Sequence, residues 1–151
     1  MLKHMQKLII FFIILFNFGS AFSSEEYFLT LRNEKANLRQ GPSFDYPIKI
    51  FYKKKFLPVL VQDKSDNFRK IRDHENNSGW IHISQLSKKK AAITIDDDLI
   101  LFSNATVYSN PLAILKKGRL VRIDKCNDDW CKIKTGEFKG WLQKKNLWGL
   151  L

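Results

Sequence analysis

The chain has 151 residues and a formal net charge of +11. That length holds one ordinary domain or two small ones, and no stretch after the N-terminal region approaches transmembrane length. Lysine outnumbers arginine 20 to 6 and is both scattered and clustered. This reads first as a lysine-coated soluble surface and second as an invitation to an anionic partner such as lipid head groups or an acidic cell-wall polymer.

Residues 1–23 read as a secretory signal. Lys3 and Lys7 form a basic start, residues 8–18 an apolar run of 11 residues, and residues 19–23 a small-residue stretch. The run is too short to cross a bilayer core, and Ala21-Phe22-Ser23 fits a cleavage site after Ser23, with cleavage after Ala21 as the second choice. No cysteine lies near the site, which argues against a lipid anchor. Without Lys3 and Lys7 the net charge falls from +11 to +9. Export predicts a periplasmic or secreted protein, with no nucleic acid as partner and no transmembrane segment after cleavage.

In the mature part, residues 25–34 begin with period-two alternation and read as a strand. Residues 35–39 form a second short strand, and Gln40-Gly41-Pro42-Ser43 a turn. Ile48, Ile50 and Tyr52 lead to a turn at Lys53-Lys54-Lys55. Residues 56–62 form a strand, with Pro58 at an edge or bulge. Residues 68–72 form the next, with Phe68, Lys70 and Arg72 on one side and Arg69 and Ile71 on the other. After a polar turn, residues 79–83 form another strand, closed by a helical turn at residues 84–86.

The same order recurs. Residues 99–102 and 105–108 are predicted strands, followed by a turn at Ser109-Asn110-Pro111. Residues 112–115 lead into a turn at Lys116-Lys117-Gly118. Strands at residues 120–126, 130–134 and 140–143 follow, with residues 144–148 as the cap. The repetition is visible in residues: Phe68-Arg69-Lys70-Ile71, Gly79-Trp80-Ile81 and Leu86 are matched by Trp130-Cys131-Lys132-Ile133, Gly140-Trp141-Leu142 and Leu147, at offsets of 62, 61 and 61 residues. One small module is therefore expected twice. The division is residues 1–23 signal, 24–87 first module, 88–98 linker and 99–151 second module. Half-chains of this size have marginal cores, so the modules should pack together or use a staple. Asp96-Asp97-Asp98 in the linker lacks the alternating ligands and turn glycine of a calcium loop, and no metal is expected.

Ala36-Asn37-Leu38-Arg39-Gln40-Gly41-Pro42-Ser43, followed by Tyr46-Pro47 and later Gly79-Trp80-Ile81, resembles the bacterial SH3-like (SH3b) family. The mature chain is similar to tandem SH3-like exported proteins of the alphaproteobacterial type, which carry Cys-x-x-x-Trp-Cys in the second copy (Cys126 to Cys131) and end in Leu-Trp-Gly (Leu147-Trp148-Gly149). The resemblance covers residues 27–149 and implies an all-β fold of two tandem small barrels. The second copy departs from the pattern: Thr106-Val107-Tyr108-Ser109-Asn110-Pro111 stands where the opening motif would be. The resemblance further implies an envelope binding module whose ligand is peptidoglycan or its stem peptides.

Cys126 and Cys131 flank a tight turn in an exported chain, so a disulfide is expected. Catalysis is not: His74 and His82 are the mature histidines, neither cysteine has a nucleophile's surroundings, and no cofactor is implied. The binding candidates are aromatic: Phe44, Tyr46, Tyr52, Trp80, Tyr108 and Trp141. Trp80 and Trp141 read first as core residues, while Phe44 and Tyr46, on a loop between prolines, read as surface. Arg39 is placed to hold that loop through a carbonyl or a carboxylate such as Asp45. The expected partner is a cell-wall glycan or peptide, with an adaptor that grips an envelope protein through a strand edge as the alternative and a hydrolase third.

Overall fold

A computed structural model describes residues 25–151; the predicted signal lies outside the described residues. Among the described residues the fold is all β apart from two single 3-10 turns at Ile83–Gln85 and Lys144–Asn146. The first module comprises β1 (Tyr27–Leu31), β2 (Ala36–Arg39), β3 (Ile48–Tyr52), β4 (Pro58–Ser65), β5 (Phe68–Arg72), β6 (Ser78–His82) and β7 (Leu86–Ser87). The second comprises β8 (Ala91–Thr94), β9 (Leu99–Phe102), β10 (Pro111–Leu115), β11 (Leu120–Cys126), β12 (Trp130–Thr135), β13 (Phe138–Gln143) and β14 (Leu147–Leu150). Each set forms one seven-stranded sheet. The orders, β3-β2-β6-β5-β4-β1-β7 and β10-β9-β13-β12-β11-β8-β14, are the same once the numbering is shifted by seven.

Period-two alternation builds each core. In β6, Gly79 and Ile81 are buried while Ser78, Trp80 and His82 are partly exposed. Ile81 joins Leu31, Leu38, Val59, Val61 and Ile71 in the first core. Leu142 joins Leu101, Val121, Ile133 and Leu147 in the second. Trp80 and Trp141 therefore stand on the outer faces, against the expectation that they fill the cores. The reason is the glycine before each. A Cβ on Gly79 would lie 2.6 Å from the Arg39 carbonyl oxygen and 2.8 Å from Leu38 Cγ; on Gly140 it would lie 2.6 Å from the Phe102 carbonyl oxygen and 2.9 Å from Leu101 Cγ. The glycine is the inward residue at a crowded crossing, and alternation turns its tryptophan out.

Two other expectations change. The segment 88–98 is not a free linker: Ala91–Thr94 is a fully buried strand between β11 and β14. Asp97 and Asp98 at its end hold the β10–β11 turn, through Lys117 N–H to Asp97 Oδ1 (3.0 Å) and Lys116 Nζ to Asp98 (2.6 Å). Residues 105–108 are bend and turn rather than strand. The predicted start at residue 56 also shifts, because Lys55 and Phe56 form a turn and Pro58 opens β4, a position that needs no backbone donor.

The modules pack on each other. The ring of Phe28 meets that of Trp148 edge-to-face at 4.9 Å, and β14 lies against β1 and β4. Ile93 of the second module belongs to the first core, and Leu120 packs against it. Thr30 Oγ1 donates to the Lys89 carbonyl at 2.8 Å across the junction. This shared surface explains why four consecutive β4 residues, Pro58 to Val61, are all buried. One face of β4 serves its own core, while β14 covers the other.

Candidate ligand-binding surface

The outer face of β2, β6 and β5 is built by register. Trp80 stands opposite Arg39 on β2 and Lys70 on β5, and His82 stands opposite Phe68. The loop 40–47 returns over this face. Arg39 Nη1 donates to the carbonyls of Phe44 (3.0 Å) and Tyr46 (2.9 Å), so the loop is held by its own carbonyls rather than by Asp45. Asp45 instead accepts from Ser43 Oγ at 2.9 Å. With the backbone fixed, the Phe44 ring lies 5.2 Å from Phe68, 5.0 Å from His82 and 5.4 Å from the Arg39 guanidinium carbon. Tyr46 lies flat on Gly41, its ring 2.6 Å from where a Cβ would stand. Phe44 nevertheless remains 60% exposed and Tyr46 48%. The result is an aromatic ledge with Arg39 and Lys70 beside it. The two ion pairs among the described residues, Lys116–Asp98 and Lys139–Asp124, lie elsewhere.

The structure thus brings Phe44, Tyr46 and Trp80 around Arg39 and separates the other candidates from them. Tyr52 is buried at 9% exposure, and its hydroxyl donates to Asp73 Oδ2 at 2.8 Å. Asp73, itself 1% exposed, also accepts from the Glu75 and Asn77 backbone N–H groups and from Asn77 Nδ2. Burial first, then the Asp73 bond and the nearby Asp73 and Glu75 charges, push the Tyr52 hydroxyl well above the ordinary tyrosine range. This pair fastens the β5–β6 turn to β3. Period-two reading of residues 68–72 put Phe68 beside Lys70, but Phe68 and His82 were missed as parts of a ledge because the returning loop is a tertiary feature.

In the second module, the loop 103–110 takes the equivalent path. Ser103 N–H bonds the Asn110 carbonyl (2.9 Å), as Gln40 N–H bonds the Pro47 carbonyl (3.1 Å). No arginine holds it. Ser109 Oγ donates to the Asn104 and Thr106 carbonyls (3.2 and 2.9 Å) and accepts from Asn104 N–H. Tyr108 is 94% exposed at its tip, touching none of the other candidates. Trp141 pairs across the sheet with Phe102 and Lys132, and the ammonium groups of Lys125 and Lys132 stand 5.8 and 6.0 Å from its ring. Phe102 and Trp130 meet edge-to-face at 5.8 Å. Cys126 and Cys131 face each other across β11 and β12 and form a disulfide.

The model of the bacterial SH3 domain matches residues 32–88 and again residues 97–149. The chain belongs to the bacterial SH3 domain family. Each match falls on one sheet and begins after its first strand, β1 in the first module and β8 in the second. No curated protein matches the chain. Among solved structures it is similar to NlpC2 from Trichomonas vaginalis, at 12% identity and TM-score 0.38, covering 82% of this chain and 48% of that one. It is similar to NlpC1 from the same organism, at 14% identity and TM-score 0.37, covering 89% and 49%. An NlpC/P60 family protein from Bacillus cereus ATCC 10987 matches at 12% identity and TM-score 0.37, covering 81% and 56%. The chain spans about half the length of the solved structures it matches, and likenesses this weak carry no argument about its activity.

Proposed function

We infer that this protein is an exported, non-catalytic binding module of the bacterial envelope that recognises peptidoglycan or its stem peptides on the ledge of the first SH3 module. The observation that carries the reading is the pairing of exposure with rigidity at Phe44 and Tyr46. Two large rings stay open to solvent on a loop whose carbonyls are pinned by the half-buried Arg39. Flat apolar rings suit sugar faces and peptide backbones, and the cations beside them suit stem-peptide carboxylates. A preorganised loop also loses little entropy on binding.

The surroundings of the two cysteines and of His82 support the non-catalytic reading. Both cysteines are bonded to each other. His82 Nδ1 lies 2.7 Å from Ser84 Oγ and also accepts from Ser84 N–H, which is a cap on the 3-10 turn. Its ring packs on Phe44 and Phe68, and no carboxylate orients it as a base would need. Export follows from residues 1–23 by sequence, and among the described residues no helix is long and apolar enough to cross a membrane.

The test is a pull-down of the mature protein on purified sacculi. The unaltered protein should be retained, and Phe44→Ala/Tyr46→Ala should pass through while melting as a folded protein. Equal retention of both, or retention of neither, contradicts the reading. A second reading has its own observation. Edge strand β10 exposes Ile114 (66%) opposite Ile100 (41%), an apolar pair beside unpaired backbone. That edge suits strand addition by an envelope protein. In-cell crosslinking from residue 114 separates the two, since the wall reading predicts no discrete protein adduct there.

A further inference from the structure

The turn before β4 and the turn before β11 are the same turn. In the first, Phe56 N–H bonds the Leu31 carbonyl and Leu57 N–H bonds the Lys54 carbonyl; in the second, Gly118 N–H bonds the Thr94 carbonyl and Arg119 N–H bonds the Lys116 carbonyl. Both require a left-handed residue. The second module supplies Gly118 at φ 76°, with nothing within 4 Å of a would-be Cβ. The first supplies Phe56 at φ 65°. A bulky residue is rare and strained in this conformation, and such strain persists where the side chain has a use. The second module shows that the fold itself is served by glycine.

The ring of Phe56 stands where cations gather. The Lys55 ammonium lies 5.2 Å from its centroid, and the Arg122 guanidinium of the second module 4.8 Å. Beside it is an open cavity of about 540 Å³ at the module junction, lined by Arg32, Lys55, Phe56, Ser87, Lys88 and Lys89. Arg32 donates its Nε to the Leu86 carbonyl at 2.9 Å, which fixes the guanidinium at the wall. No carboxylate lines this cavity, and among the described residues none of its cations forms an ion pair. Cationic residues lining one cavity repel one another, and a bound anion would relieve that repulsion.

We propose that this junction cavity is an anion site for a phosphate monoester or diphosphate carried on an apolar or ring-shaped body. Three ammonium groups and a guanidinium suit a group of two or more negative charges better than a single carboxylate, because a phosphate monoester carries about −1.5 to −2 at neutral pH and three acceptor oxygens. Phe56 is the floor: it holds Lys55 and Arg122 in place through its ring face and offers the apolar body a surface. Its lining comes from the first module and residues 88–89, with Arg122 of the second module behind Phe56, and includes none of the ledge residues, so it stands apart from the wall-binding reading.

The experiment uses the full mature chain and two probes: inorganic pyrophosphate, followed by calorimetry, and phosphatidylcholine vesicles with and without phosphatidic acid, followed by co-sedimentation. Pyrophosphate binding alone identifies a soluble phosphate ligand; binding confined to phosphatidic acid vesicles identifies a lipid headgroup. Either supports the site, and binding to neither overturns it. For the probe that binds, Lys88→Gln/Lys89→Gln should weaken affinity by about tenfold or more, while Lys64→Gln/Lys134→Gln, which removes the same charge elsewhere, should change it less than about twofold. Equal losses in the two pairs would reduce the effect to net charge and overturn the site. Phe56→Gly, which installs the second module's residue, should keep the fold and weaken binding by about tenfold. Unchanged binding with a lowered melting temperature would make Phe56 a mere staple between modules and remove it from the site.

Discussion

The two SH3 modules share strand order and equivalent pairings, yet each secures its loops with different chemistry. The first uses Arg39 on the carbonyls of the 40–47 loop, a Tyr52–Asp73 latch, and a left-handed Phe56. The second uses the Ser109 hydroxyl, the Cys126–Cys131 disulfide and Gly118. What the copies have in common is what the barrel demands; where they diverge, one copy has been freed. The first keeps exposed aromatic rings on a pinned loop, and the second is built more simply. On the function proposed above, binding would fall to the first copy and scaffolding to the second.

The largest effects should be those that ignore the division. Gly79→Ala and Gly140→Ala each place a methyl 2.6 Å from a carbonyl oxygen. Each should destabilise the protein by about 3 kcal/mol, measured by chemical denaturation, and the two should be alike. A large difference would show that the modules are not equivalent at their crossing.

These crossings also show what could be read from sequence. Alternating residues and the repeated Gly-Trp spacing carried the fold, because strand period and duplication are written locally. The side of the sheet taken by each tryptophan was not read correctly, since it depends on the glycine's crowding against a strand distant in the chain. Strand β8 escaped because Ala91 and Ala92 give little apolar signal after three lysines, and they are buried only because β11 and β14 flank them. The turn at Gly118 was legible through its glycine. Its twin was read as a turn at Lys53-Lys54-Lys55, but the left-handed Phe56 within it was not, because phenylalanine does not announce that conformation. Phe44 and Tyr46 were legible as loop aromatics; Phe68 and His82 beneath Phe44 required the folded loop.

The next two predictions fall on one module each. Reducing Cys126–Cys131 opens a short loop in the second module and should lower stability by about 2 kcal/mol, seen as a lower melting temperature with reductant. Arg39→Ala should cost about 2 kcal/mol, the scale of hydrogen bonds from a charged donor, and should broaden the NMR signals of residues 40–47; Ser109→Ala should cost about 1 kcal/mol. If Ser109 proved the larger, the first loop would not be the more firmly held.

The smallest effect is one of pH. Tyr52 titrates higher in the folded protein than in the unfolded chain. Its contribution is therefore fully present below the unfolded value of about 10 and is lost as pH rises above it. Stability should decline on the alkaline side, and Tyr52→Phe should flatten that decline while losing about 1 kcal/mol at neutral pH through the missing bond to Asp73. The second module has no such latch, so its local unfolding should lack this dependence.

The division between copies is tested most directly by retention on sacculi of two matched variants at the same loop position. Phe44→Ala/Tyr46→Ala strips the first module's ledge, and Val107→Ala/Tyr108→Ala strips the equivalent loop of the second. The account predicts that the first variant is lost from the sacculi and the second is retained like the unaltered protein. Equal loss from both, or loss only of the second, would contradict it.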